Sequence, residues 1–421
     1  MTRLLKGLAI AVVALTLLLA GVALALESWL RSDDFRTRVE REGTAVLGAP
    51  LQLGRLSIDL WPLPAVAAEQ VRLQTKPPIT VERIEARPVW SGLLRGQLEI
   101  STLIVRKAVV PQGGILAIGA GMEKRKPPGA AAPPSKDGQI VLWPRRTVLD
   151  DVTWVDEKGQ RMTMDARLDM GSDGLLDEVD AKVRAGRLAG THAHMERSGD
   201  QWPVRIDIGG GRITGKLQVL PAMNGARLLQ GQLTTEGVEV SALTAPSRVL
   251  TGKLHAKTTL KAEFRDPGQL GDALQTQTSF TVNDAVVTGI DLAKAVETVG
   301  LSRGGLTRLH TLTGNVATQG KAAQLTNLVA RATGLAASGN IAMSANRSLN
   351  GRITVDITTS KGMLGVPLAV SGTVDEPSVM LTRGAMIGAA MGTLIAPGVG
   401  TAAGASTGER LGEKFRGLFG K

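Results

Sequence analysis

Polarity along the chain changes rhythm several times, and each rhythm predicts a different element. Gly7 to Leu26, GLAIAVVALTLLLAGVALAL, carries no charge. Such a run of about 20 residues spans roughly 30 Å as a helix, enough to cross a bilayer. Next comes a short amphipathic stretch. Ser32 is placed to cap a helix, Asp33 and Asp34 suit its first turn, Phe35, Val39 and Leu47 form a thin apolar stripe, and Gly48 with Pro50 end it.

From Leu51 the period falls to two. LQLGRLSIDLWPLP, ITVERIEARPVW and LEISTLIVRKAVV read as strands. Lys124 to Lys136, KRKPPGAAAPPSK, breaks the pattern as a Pro/Ala-rich loop. Short strands then resume, with Gly, Asn or Asp punctuation. In KLHAKTTLKAEF, Leu254, Ala256, Thr258, Leu260, Ala262 and Phe264 share one face, while Lys253, His255, Lys257, Thr259, Lys261 and Glu263 share the other. RITGKLQVL and GRITVDITTS alternate similarly. An antiparallel sheet with one wet and one apolar face follows. IDLAKAVETVGL interrupts it as a helix, with Leu292, Ala295, Val296 and Val299 on one side.

A last rhythm has period four. Gly384, Gly388 and Gly392, then Gly400 and Gly404, repeat at the spacing membrane helices use for close backbone approach, with Pro397 breaking the run. Each half is short for a span, and the amphipathic ERLGEKFRGLFGK at the end suits a headgroup surface. The expected organisation is an anchor at 1–26, an N-terminal helix and β region at 27–123, a loop at 124–136, a central β region at 137–283, a C-terminal β region with one helix at 284–383, and a glycine-zipper-like tail at 384–421.

Two readings of the sheet stay open at this level: a self-packed sandwich or barrel, or a curved sheet whose apolar face is an open groove. Composition narrows what could fill it. Aromatics make up 3% of the chain and Tyr is absent, so Leu, Val, Ile, Ala and Met must line any interior. There is no Cys, which removes disulfides, thiol nucleophiles and zinc-thiolate sites together. The formal net charge of +11 suits anionic phosphate surfaces. The basic residues are not interleaved with stacking aromatics, which argues against single-stranded nucleic acid.

No catalytic set emerges. Gly210 and GRITGKL complete G-x-x-x-x-G-K, but Leu217 stands where Ser or Thr should bind magnesium, and the flanks read as strands joined by a hairpin. His192, His194 and Glu196 lie on one short strand, a poor cage for a metal. A non-enzymatic chain without cofactor is expected. Arg3 and Lys6 before the apolar run predict a cytoplasmic N-terminus, with the body across the membrane. Ala23-Leu24-Ala25 would fit signal cleavage, but the run exceeds a usual signal core, which favours a retained anchor.

An ordered set of segments resembles the AsmA family of Gram-negative envelope proteins. It comprises LGAPLQLGRLSIDLWPLP, the Leu93-Leu94-Arg95-Gly96 turn before an alternating strand, SFTVNDAVVTGIDLAKAV with Gly289, Ile290, Asp291 and Leu292 opening a helix, and GVPLAVSGTVDEPSVML. The resemblance covers roughly 1–110 and 200–382; residues 111–200 match poorly. It implies a single-pass inner-membrane anchor, a periplasmic body, and a mainly β fold built on a long curved antiparallel sheet. The sheet's apolar groove would carry phospholipid and support outer-membrane biogenesis, with Leu254, Ala256, Leu260 and Phe264 as lipid contacts. The glycine tail is an addition to the family pattern. It would dock on the outer membrane or an envelope protein, or plug the end of the sheet. A scaffold for outer-membrane proteins, binding through sheet edges and tail, is the alternative function.

Overall fold

The computed structural model describes residues 33–59, 65–89, 100–123, 144–173, 175–186, 188–222, 225–245, 247–265, 270–297, 304–359, 362–382 and 384–386. The apolar run 7–26, the turn 93–96, the loop 124–136 and the tail from 387 lie outside them, and with the tail Gly388, Gly392, Gly400 and Gly404. Among the described residues no helix is long and apolar enough to cross a membrane. The fold is mainly β, in two compact units that divide between Gly190 and Thr191. That division falls inside the stretch 137–283, read from sequence as one central β region.

The first unit opens with α1 (Asp33–Leu47). Gly48 ends it at φ 69°, donating its N–H back to the Thr44 carbonyl at 3.1 Å, so the helix stops where a left-handed residue is needed. The sheet that follows contains β1 (Leu51–Gln52), β2 (Leu56–Asp59), β3 (Ala65–Leu73), β4 (Ile79–Pro88) and β5 (Ile100–Pro111), then β6 (Arg146–Val155), β7 (Arg161–Met170) and β8 (Leu176–Gly186). Neighbours pair antiparallel except β5 and β6, which run parallel. The chain between them includes α2 (Gln112–Glu123) and returns to start β6 beside the start of β5; parallel pairing needs such a crossover. Val71, Leu73, Ile79, Val81 and Ala108 form the core.

In the second unit, where the short helices α3 (Val240–Thr244), α4 (Leu270–Ala273) and α5 (Leu292–Glu297) lie between strands, the pairing is sequential. The strands are β9 (His192–Glu196), β10 (Gln201–Ile208), β11 (Gly211–Pro221), β12 (Arg227–Glu239), β13 (Leu250–Phe264), β14 (Gln275–Thr288), β15 (Leu306–Gln319), β16 (Ala322–Ala332), β17 (Leu335–Met343), β18 (Leu349–Thr359), β19 (Gly362–Gly372) and β20 (Pro377–Leu381). Each pairs antiparallel with the next. No pairing among the described residues joins β20 back to an earlier strand other than β19, so the sheet is unclosed. Gly209 and Gly210 turn β10 into β11 with positive φ at both, so the G-x-x-x-x-G-K stretch is the expected hairpin.

This sheet is strongly curved. In a flat sheet β14 and β20, six ladder steps apart, would lie about 29 Å from each other. Instead, a Cβ placed on Gly289, just after β14, would sit 4.0 Å from Cγ of Pro377, the first residue of β20. The bend follows from bulges in successive strands. The register slips at Thr235/Val238, Thr251/Lys253, Thr313/Asn315 and Leu325/Leu328. Gly237, Gly252, Asp284 and Asn327 adopt positive φ near these slips. Amides freed from the ladder find side chains: Gly252 N–H donates to Glu239 Oε1 at 2.8 Å, and Asn327 N–H to Asn340 Oδ1 at 3.0 Å.

The inner face carries the core. Val282, Ala285, Leu309, Ala330, Ala337, Val355, Val366, Leu368, Val370, Val379 and Leu381 are buried in one cluster. The outer face is charged: Arg205, Asp207 and Arg212 form ion pairs at 3.1 and 2.8 Å, and the Arg212 and Arg205 guanidiniums hold the Asp207 carboxyl below the usual carboxylate range. A core at this density resists truncation. Leu368→Ala removes a fully buried side chain and is expected to cost about 2–5 kcal/mol. Lys257→Ala, on the wet face of β13, is expected to cost less than about 0.5 kcal/mol. Urea unfolding of both variants, followed by circular dichroism, checks the contrast.

Candidate functional site

The site is built on one face of β13 and its neighbours. Along this strand Ala256 and Ala262 are buried, Leu254, Thr258, Leu260 and Phe264 are half-buried, and Lys253, His255, Lys257, Thr259, Lys261 and Glu263 are exposed. Strict alternation puts the two sets on opposite faces. The four candidate groove residues therefore share the inner face, but their surroundings differ.

Leu254 pairs with Val282 and packs against the buried cluster. Ala256 pairs with Phe280, whose ring lies against Gly314; a Cβ there would meet it at 3.3 Å. This part of the trough is filled, and the filling is the family-like segment. Gly289 donates its N–H to the Gly305 carbonyl at 2.8 Å, and Ile290 packs on the cluster. Asp291 caps α5 (Leu292–Glu297): its Oδ1 accepts the Lys294 N–H at 3.0 Å and its carbonyl accepts that of Ala295 at 2.8 Å. Leu292 and Ala295 are buried, and α5 touches both β15 and β18, so it sits inside the curl. Val296 and Val299 are outside the described side chains. Buried Thr307 on β15 holds the entry: its hydroxyl accepts the Leu292 N–H at 3.0 Å and donates to the Ile290 carbonyl at 2.8 Å. Two further pieces close the same end. One is α3 (Val240–Thr244), through Val240; the other is the turn 384–386, whose Ala385 is fully buried and donates its N–H to Thr382 Oγ1 at 3.3 Å. Gly384, the one tail glycine described, starts this turn and is half-buried.

Toward the other ends of these strands the trough is empty. A cavity of about 1000 Å³ is lined by residues from seven consecutive strands, from Gln201 on β10 to Gln324 on β16. One cross-strand row runs along it on the inner-face register: Leu217, Gly231, Leu260, Thr276, Thr318 and Ala323. Glutamines dominate the rows to either side, Gln232, Gln277 and Gln324 on one and Gln230, Gln275 and Gln319 on the other; these rows share the register of Thr259 and Lys261 and so belong to the opposite face. The hydroxyls of Thr276 and Thr318 bond each other at 2.7 Å, and those of Thr258 and Thr278 at 2.9 Å. In each pair one hydroxyl donates and the other accepts. Small side chains and a glycine make the room; a Cβ on Gly231 would meet Leu217 Cδ2 at 2.5 Å.

Of the four candidate contacts, only Leu260 lines this cavity. Phe264 stands at the strand end opposite Arg227. Thr276 escapes a hydropathy reading because QTQTSF is polar at every position up to the phenylalanine, leaving nothing to mark which residues face inward. His192 and His194 lie on β9, and His194 lines a separate, smaller cavity with Arg197 and Arg205. Among the described residues no group of three acidic or His side chains could hold a metal ion.

The volume is at the upper end for small-molecule sites, about 300–1000 Å³. The inner-face row sets Leu217, Leu260 and Ala323 beside the hydroxyls of Thr276 and Thr318. Set against models of protein families, against curated proteins and against solved structures, the chain matches none of them.

The packed end should open before the sheet does. Thr307→Val leaves the Leu292 N–H and Ile290 carbonyl without their partner, at about 1–3 kcal/mol for each group that stays buried. Hydrogen exchange at 290–297 is expected to accelerate ten-fold or more, while amides of β17 and β18 stay protected.

Proposed function

We propose that the chain is an AsmA-like envelope protein, anchored in the inner membrane by residues 7–26, whose second unit binds phospholipid acyl chains and passes them along its inner face in support of the outer membrane. The observation that carries this reading is the open cavity on the inner-face register, with Leu260 on its floor. Burial of acyl chain there gains about 0.8 kcal/mol per CH2, with no covalent step required. Thr276 and Thr318, in the same inner-face row as Leu260, offer hydroxyls to the ester oxygens, while the charged side chains of β13 stay on the opposite face. The packed end, closed by α5, sets how far an acyl chain can run before the helix must move.

A second reading keeps a place because of one edge. β20 pairs with β19 only over Leu368–Gly372, so the outer edge of Gly362–Val366 has no partner strand among the described residues. An extended segment of an outer-membrane protein could add there, which would make the chain an assembly scaffold.

A photo-crosslinking side chain at Leu260, in the full chain in cells, separates the two. Phospholipid adducts at Leu260 and none at Lys257, on the opposite face of the same strand, are expected. Protein adducts at Gly362 with no lipid at Leu260 would replace the transfer reading with the scaffold.

A further inference from the structure

Helix α2 carries an apolar knuckle that the fold leaves uncovered. Ile115 is 42% exposed and Leu116 60%, with Ala117 exposed beside them. The knuckle is not a loose end. On the helix's other side Gly113 and Gly114 lie so close to the β3–β4 connection that a Cβ on Gly114 would meet Ile79 Cγ1 at 2.8 Å and the Pro77 carbonyl at 3.1 Å, and one on Gly113 would meet Pro77 Cδ at 3.1 Å. Gln112 Nε2 donates to Glu157 Oε1 at 3.2 Å, tying the start of the helix to the β6–β7 connection. The two glycines hold the helix close to the sheet; Ile118 packs on the core, while Ile115 and Leu116 turn outward, where a soluble surface would place polar side chains.

Three observations identify the occupant as a lipid surface. First, α2 packs against α1. The apolar run ends at Leu26 and α1 begins at Asp33, a step of seven residues that reaches no farther than about 25 Å. The knuckle is thereby kept near any bilayer holding that run. Second, the sequence leaving α2 reads Lys124, Arg125, Lys126, a cationic complement to anionic headgroups next to an apolar insertion. Third, the exposed stretch is only three aliphatic residues long, Ile115 to Ala117, which suits shallow insertion at the boundary of headgroups and acyl chains.

We propose that Ile115, Leu116 and Ala117 insert into the outer leaflet of the membrane that holds the N-terminal anchor, giving the first unit a second, shallow attachment. This rests on the anchor reading above, and the experiment keeps the two apart.

The chain has no Cys, so Leu116→Cys can be labelled with an environment-sensitive fluorophore, with Arg167→Cys on exposed β7 as the reference. The full chain is reconstituted into vesicles of phosphatidylcholine with phosphatidylglycerol and separated by flotation. Expected is a blue-shifted, several-fold brighter label at position 116, quenched by lipids brominated in their acyl chains and weakened in pure phosphatidylcholine, with neither change at 167. A chain that floats while the label at 116 stays in water overturns the inference and leaves the anchor standing. A chain that does not float overturns both. A blue shift already present in detergent, and insensitive to brominated lipid, means a protein covers the knuckle, and also overturns it.

Discussion

A sheet with one apolar face must hide that face, and the rest of the second unit follows from how it does so. The strands bulge at neighbouring positions and the sheet bends round on itself, so that β14 reaches β20 across the inside. Bending fills only the part where a helix can enter. Where α5, α3 and the turn at Ala385 sit, Val282, Leu309, Val355 and Leu368 are buried as in any core. Where they do not, the same inner face borders a cavity, and threonine pairs replace valine and leucine. Core and cavity are thus two stretches of a single surface.

That continuity limits what can be assigned to single residues. Leu254 and Leu260 are three turns of alternation apart on one strand and chemically identical, yet one is locked against Val282 and the other borders open space. The difference lies in a helix that arrives from beyond β14, held by a threonine on β15. A substitution at Leu254 therefore tests stability, while one at Leu260 tests occupancy.

The legible part of the fold is the part with clean period two. β13 could be read residue by residue because from Lys253 to Phe264 its inner positions are Leu, Ala, Thr or Phe and its outer ones polar without exception, and α1 because its acidic first turn and Gly48 bracket it. β3 was hidden: Gln70, at φ 51°, interrupts the alternation, so Ala68 packs on the core before it and Val71 and Leu73 after it, which breaks the count of two. In α2, QGGILAIGAGME looks like a loop to any propensity scale. Its glycines belong to a helix because the β3–β4 connection lies too close for a Cβ, a contact no local pattern encodes. The parallel β5–β6 pair was equally out of reach, since it depends on where a long crossover returns. For the site, the apolar face was visible and its division into packed and empty stretches was not. That division is set by Thr307 and α5, from opposite sides of a connection.

The sequential pairing from β9 to β20 bears on how the molecule comes into being. Each strand finds its partner in the stretch just made, so loop closure stays short and the sheet can grow by one hairpin at a time as the chain is synthesised. The inner face stays uncovered while it grows. Ala385 and the contact of Pro377 with the end of β14 become available only after the last strand is made. During that interval the nascent sheet is an aliphatic strip without its filling, at its most adhesive before it is finished. A chaperone or a lipid that meets it then meets a wider surface than the completed protein ever presents.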